Sequence, residues 1–297
     1  MTNQTLAKMP LRRALGQALD SALQWRLWLL WIAATLLCAL VAALPIWAWL
    51  GDQLDHSVHA ADIAAGKAPM LLLDALMARP SPLPLLLGNV WVGGVLMLLL
   101  SPWLAGAAVA AARAPERLGF GALVRGGITE YGTMLRMLLW SAIPLGVALL
   151  VMTVILATND KAHEHAIMAS EEETVRIIGL VVGGVLLVLA HAGVEAGRGW
   201  LAADTRLRSA LGAWWRGMGL LRRRPLAVLG VYLVTTLLGL GLAALILLLR
   251  PHVGGASVPG FLVALLLSCA VTAVLAWSRI ARLFGMKALA EDMHARR

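Results

Sequence analysis

The chain has 297 residues, is 60% hydrophobic and only 14% charged, and carries a formal net charge of +9. Soluble domains are about 25% charged, and the apolar runs here are long enough to cross a bilayer, so a soluble two-domain protein is excluded. The positive balance does not call for a nucleic-acid partner, because its placement along the chain has a membrane explanation.

Residues 1–26 hold Lys8, Arg12, Arg13 and Arg26. Leu11, Leu15, Ala18, Leu19 and Leu23 recur at helical spacing, which predicts a surface-lying amphipathic helix. The first span follows at 27–50, with Trp25, Trp28 and Trp31 at one interface and Trp47 and Trp49 at the other, as an aromatic belt predicts. It is too long for a signal sequence and has no small-x-small cleavage site after it. An outer segment, 51–82, contains a short helix over 70–77 and ends at Pro80-Ser81-Pro82. The second span is predicted at 85–111, with Ser101-Pro102 near its middle and a kink expected there. An inner segment over 112–136 carries Arg113, Arg117, Arg125 and Arg136, and is read as a second surface helix. Glu130 in it is expected to be solvated or paired locally near Arg125, or to meet an arginine of the next inner segment.

The third span is predicted at 137–158, an acidic outer segment at 159–176, and the fourth span from 177 to about 195, continuing as helix to 203. Residues 204–225 form a third inner helix, with Leu207, Leu211, Trp214, Trp215, Met218 and Leu221 at helical spacing. Arg222, Arg223 and Arg224 then stop at Pro225. The fifth span is predicted at 226–249, an outer turn at 250–260, the sixth span at 261–277, and a basic tail closes the chain. Cys38 and Cys269 fall inside spans and read as buried thiols.

Six spans put both termini on one side. Of the 25 Lys and Arg residues, 20 lie in the termini and the two segments on that side, and 5 lie in the three opposite loops. By the positive-inside rule the termini face the cytoplasm, and most of the net charge faces anionic lipid headgroups. The expected fold is therefore an all-α, polytopic membrane protein with six transmembrane helices and amphipathic cytoplasmic interfacial helices.

A threefold internal repeat is also expected. Residues 121–126 read Gly-Ala-Leu-Val-Arg-Gly, and 212–217 read Gly-Ala-Trp-Trp-Arg-Gly. Each precedes an outward span, and the N-terminal arm stands in the same place before span one. The unit would be inner helix, span out, outer turn and span back, with repeats at 1–112, 113–203 and 204–297. Binding sites in membrane proteins often lie where repeats meet.

Within the spans, the sharpest polar feature is His191, Glu195 and Arg198, on one face of span four. Ionisable groups at such depth usually face the bundle interior. Glu195 lies about 27 Å along the span, near the inner boundary, so two readings stand. The cluster is a structural ion pair, or it carries transport or headgroup binding. Arg206, Arg208, Trp214, Trp215, Arg216, Arg222, Arg223 and Arg224 are candidates to bind lipid headgroups or a protein partner. His56, His59, His163 and His165 in the outer loops are conceivable metal ligands, but their spacing matches no zinc signature. No metal or other cofactor is expected. No phosphate loop, nucleophile elbow or zincin helix is present, so a non-enzymatic protein is expected.

The run Trp214-Trp215-Arg216-Gly217, followed by Leu221-Arg222-Arg223-Arg224-Pro225-Leu226, resembles a group of uncharacterised bacterial six-span inner-membrane proteins. These are similar to the integral-membrane domain of some glycerophosphodiester phosphodiesterases. The resemblance implies a bacterial inner-membrane location and a tie to lipids or envelope assembly, and carries no catalytic motif. The functional expectation is a protein that handles lipid or a small amphiphile, or the membrane subunit of an envelope transport system. A scaffold or assembly factor for a protein complex, and a proton- or cation-coupled carrier using His191 and Glu195, are the alternatives.

Overall fold

The computed structural model describes residues 9–54, 57–64, 67–77, 82–162, 169–253 and 257–296. A short helix, α1 (Leu11–Ser21), leads into α2 (Trp25–Leu54). Two short helices, α3 (Ala60–Ala64) and α4 (Pro69–Met77), lie in the first loop. The rest is α5 (Leu83–Arg113), α6 (Phe120–Ala162), α7 (Ala169–Ala203), α8 (Ala210–Arg223), α9 (Pro225–Leu249) and α10 (Val258–His294). Six of them, α2, α5, α6, α7, α9 and α10, are long and apolar enough to cross a membrane. No strand occurs among the described residues, as a bilayer demands of a chain whose backbone must be satisfied within each span. The protein is an all-α polytopic membrane protein. The first and last described segments lie on one side, as an even number of spans requires, and they touch there: the Met9 N–H donates to Asp292 at 3.2 Å.

Local chemistry sets the boundaries. Ser209 Oγ accepts from the Gly212 N–H at 3.2 Å and caps α8. Pro225 opens α9, where its missing N–H costs nothing, and prevents α8 from running on. α5 passes through Pro102 without a break. That proline has no N–H for the Leu98 carbonyl four residues back. The Ser101 hydroxyl donates to the same carbonyl at 2.9 Å, replacing the lost bond.

Three boundaries differ clearly from the sequence expectation, the first being that α8 begins at Ala210 and not at 204. The inner segment over 112–136 is not a separate surface helix: its larger part is the first portion of α6, a single helix of 43 residues. No proline falls between Phe120 and Met137, so nothing breaks it. Gly126 and Gly127 remain helical because the packing needs them small; a Cβ on Gly126 would strike Ala110, and one on Gly127 would strike Trp103. The sixth span likewise does not end at 277. α10 continues to His294 with no breaker, so residues assigned to a basic tail belong to the bundle.

α5, α7 and α10 touch one another at the centre, and α2, α6 and α9 flank them. Small residues allow the close approaches. Gly217 of α8 lies on the backbone of Gly193 and Gly197 in α7, where any side chain would clash. Gly106 and Ala110 of α5 receive Gly126 and Gly127 of α6 in the same manner. On α10, Gly285 lies against Ala18 of α1 and Val231 of α9. Each of the central spans thus receives one amphipathic segment. The first helix sits on the last span, with Ala14, Ala18 and Ala22 buried. Leu23, expected on its apolar face, is turned outward, because α1 presents its alanines to the protein.

Candidate functional site

Two charged side chains are buried among the described residues, Glu195 on α7 and Arg282 on α10. Burying an ion in a span is expensive unless it is paired. Glu195 is paired several times over. Arg198 Nη1 donates to Glu195 Oε1 at 2.6 Å. Arg282 Nε lies 3.4 Å from Oε2, and His191 Nε2 lies 3.7 Å from Oε1. Sequence spacing placed His191, Glu195 and Arg198 on one face, and the structure brings all three together.

Around that core stands a second layer that the sequence reading missed. His191 Nδ1 and the Tyr232 hydroxyl of α9 share a hydrogen bond of 2.7 Å. The Arg282 guanidinium lies over the Tyr232 ring at 5.2 Å, and its Nη1 donates to Thr236 Oγ1 at 2.8 Å. Arg279, one turn earlier on α10, lies over the Trp31 ring at 5.2 Å. Trp31 is 7% exposed; it was expected in an interfacial belt, and instead it turns inward beneath a cation. Arg279 and Arg282 were counted as tail residues. Their spacing of three, just past an apolar run with no helix breaker, was the available signal.

These groups line a cavity of about 270 Å³ between α2, α5, α6, α7 and α10. Its polar wall is His191, Glu195, Arg198, Arg279 and Arg282, and its apolar wall includes Trp31, Pro102, Met134 and Leu138. Three guanidiniums therefore face one carboxylate. Among the described residues, Arg279 has no carboxylate at pairing distance.

The arginine-rich segment divides into two sets. Arg216 pairs with Asp204 at 2.9 Å and lies over the Trp200 ring at 5.7 Å. Arg224 pairs with Asp292 at 2.6 Å and donates to the Met9 carbonyl, tying α1, α9 and α10 together. Trp214 is half-buried, edge to face with Trp140 at 5.7 Å. These three were candidates for lipid or a partner, and the structure commits them to internal contacts. Arg206, Arg208, Arg222, Arg223 and Trp215 are exposed. Arg208 borders an open groove with Arg136, Trp140, Leu139 and Ile143.

Partial burial pushes the Asp204 carboxyl up. Bonds from the Arg206 N–H and the Arg216 guanidinium outweigh that and hold it below its ordinary value. Glu130 pairs with Arg113 of α5 at 2.5 Å; it was expected near Arg125 or an arginine of the next inner segment. Arg113 also donates to the Leu201 carbonyl at 2.6 Å, so this pair joins α5, α6 and α7.

His59 is exposed, while His56, His163 and His165 lie outside the described residues. Among the described residues no group of three or more His, Cys, Asp or Glu is placed to hold a metal. Cys38 and Cys269 are free thiols, the first buried and the second half-buried rather than fully buried as expected. Comparisons of the chain with protein-family models, with curated proteins and with solved structures found no match.

Proposed function

We propose that this is a non-enzymatic bacterial inner-membrane protein that handles an amphiphile with an anionic headgroup, with both termini in the cytoplasm. The observation that carries the reading is the cavity of about 270 Å³, where three arginines face one glutamate inside a bundle of membrane spans. Such a site attracts anions and repels cations. Its apolar wall suits the hydrocarbon of an amphiphile, and its volume, just under the range of about 300–1,000 Å³ for ligand pockets, suits a headgroup with the chains left in the bilayer. The electrostatics favours this reading over a cation-coupled carrier, because Glu195 is already engaged by two arginines. The exposed Arg206, Arg208, Arg222 and Arg223 support the orientation and would lie against anionic headgroups of the cytoplasmic leaflet. The like seating of an amphipathic segment on each central span supports a threefold repeat, with the cavity where the repeats converge.

The test is lipid analysis of the full chain purified in a mild detergent. Wild type should retain an anionic amphiphile. Ala105→Phe, which fills the cavity from α5, should lose it while keeping its helical spectrum. If wild type retains none, or the variant retains as much, the cavity is not a lipid site and a scaffold role gains support.

A further inference from the structure

We infer that the cavity selects a headgroup with two negative charges, a terminal phosphate such as a phosphate monoester, and that Arg279 is the residue that sets this selectivity. The inference rests on the reading of the cavity as an amphiphile site. Charge balance is the first ground. Arg198, Arg279 and Arg282 oppose Glu195 alone, and no other charged residue lines the wall. Two positive charges are therefore uncompensated at the cavity, with Arg279 exposed at its rim. A phosphate monoester carries about 1.5 to 2 negative charges at neutral pH and three acceptor oxygens. A phosphodiester or a carboxylate offers one charge and would leave a cation uncompensated.

Geometry is the second ground. Arg198 gives Nη1 to Glu195. Arg282 gives Nη1 to Thr236 and turns Nε toward Glu195. Arg279 instead lies on the Trp31 face. A guanidinium held over a ring can still offer its N–H groups in a two-pronged contact with phosphate oxygens. Arg279 and Arg282 are three apart on α10, so both can reach one phosphate.

The test uses the full chain in detergent, titrated with three probes: short-chain phosphatidic acid, short-chain phosphatidylglycerol and inorganic phosphate. Phosphatidic acid should bind at least tenfold more tightly than phosphatidylglycerol. Arg279→Gln should abolish that preference, weakening phosphatidic acid at least tenfold and phosphatidylglycerol by less. Arg279→Lys, which keeps the charge and loses the fork, should retain part of it. The thermal midpoint of the empty Arg279→Gln protein, measured alongside, should not fall, because the variant removes an uncompensated charge. Equal binding of the two lipids by wild type would overturn the inference and leave the amphiphile reading standing. Inorganic phosphate binding as tightly as phosphatidic acid would support the charge selection and overturn the amphiphile reading. Absence of binding by all three probes would overturn both. A preference that survives in Arg279→Gln would remove Arg279 from its role.

Discussion

The two ends of the bundle are built differently. At the arginine-rich end, α5 buries most positions from Pro102 to Ala112, α7 from Ala192 to Ala202, and α10 from Ala276 to Met293. At the opposite end the same helices turn Leu87, Trp91, Ile177, Val181, Leu262 and Leu266 outward. In a bilayer there is little hydrophobic reason for two apolar faces to prefer each other over lipid tails. Close packing there needs small residues or polar contacts. The arginine-rich end has both, in Gly106, Gly193, Gly197, Gly217 and Gly285 and in the ion pairs around Glu195. The other end is apolar enough to insert and packs closely at fewer points, Gly93 against α2 and Gly179 and Gly183 against α6. The comparison teaches that specificity in this fold resides in one half of each central span.

The largest expected effect tests that division at its charged centre. Glu195→Ala leaves Arg198 and Arg282 without their carboxylate in a buried site, a loss of about 3–5 kcal/mol. Leu266→Ala, at the loose end, removes a side chain that is 67% exposed and should change stability by less than about 0.5 kcal/mol. Thermal melting of both variants in one detergent checks the pair. Comparable shifts would mean that the cluster around Glu195 does not hold the bundle.

A middle-sized effect tests the backbone contacts. Gly217→Leu would drive a side chain into the Gly193 and Gly197 backbone of α7, which costs about 1–3 kcal/mol or more for an overpacked site. Gly241→Leu, in the outer part of α9, meets nothing within 4 Å and should be neutral or slightly stabilising, since it also replaces a helix glycine. Retained melting temperature in Gly217→Leu would show that α8 can detach from α7 without harm.

The division also explains what could be read from the residues alone. Span number and the shared side of the termini follow from bilayer thickness and charge placement, which act on local sequence. The end of α8 was legible too, because Pro225 is a local signal, whereas its start at Ala210, capped by Ser209, was placed six residues early at 204. The fusion of the second inner segment with α6 was not, since amphipathic patterning looks the same whether the helix stops or continues. The Arg279–Arg282 half of the cavity was hidden for another reason. Averaged hydropathy ends the sixth span near Trp277, and the carboxylate that draws these arginines in lies on α7, far away in sequence. Trp31 was misplaced in the same way: a tryptophan near a span end fits an aromatic belt, and only its tertiary partner shows otherwise.

The smallest expected effect lies at the edge of the tight half, where α7 hands over to α8. Asp204 is held below the ordinary aspartate value by the Arg206 N–H and the Arg216 guanidinium, against the upward push of partial burial. A carboxyl depressed in the folded state adds stability above its unfolded value, about 3.9, and that stability is lost as pH falls through the lower folded value. Wild type should therefore lose a small increment of stability below about pH 4 that Asp204→Asn lacks at every pH. The difference between the two at neutral pH should be under about 1 kcal/mol, because the pair is partly solvent-screened. Melting curves of both proteins at pH 7 and pH 3.5 measure it. A gap that stays constant across that range would mean that the α7–α8 corner is set by the glycine contacts and that the Asp204–Arg216 pair contributes nothing to it.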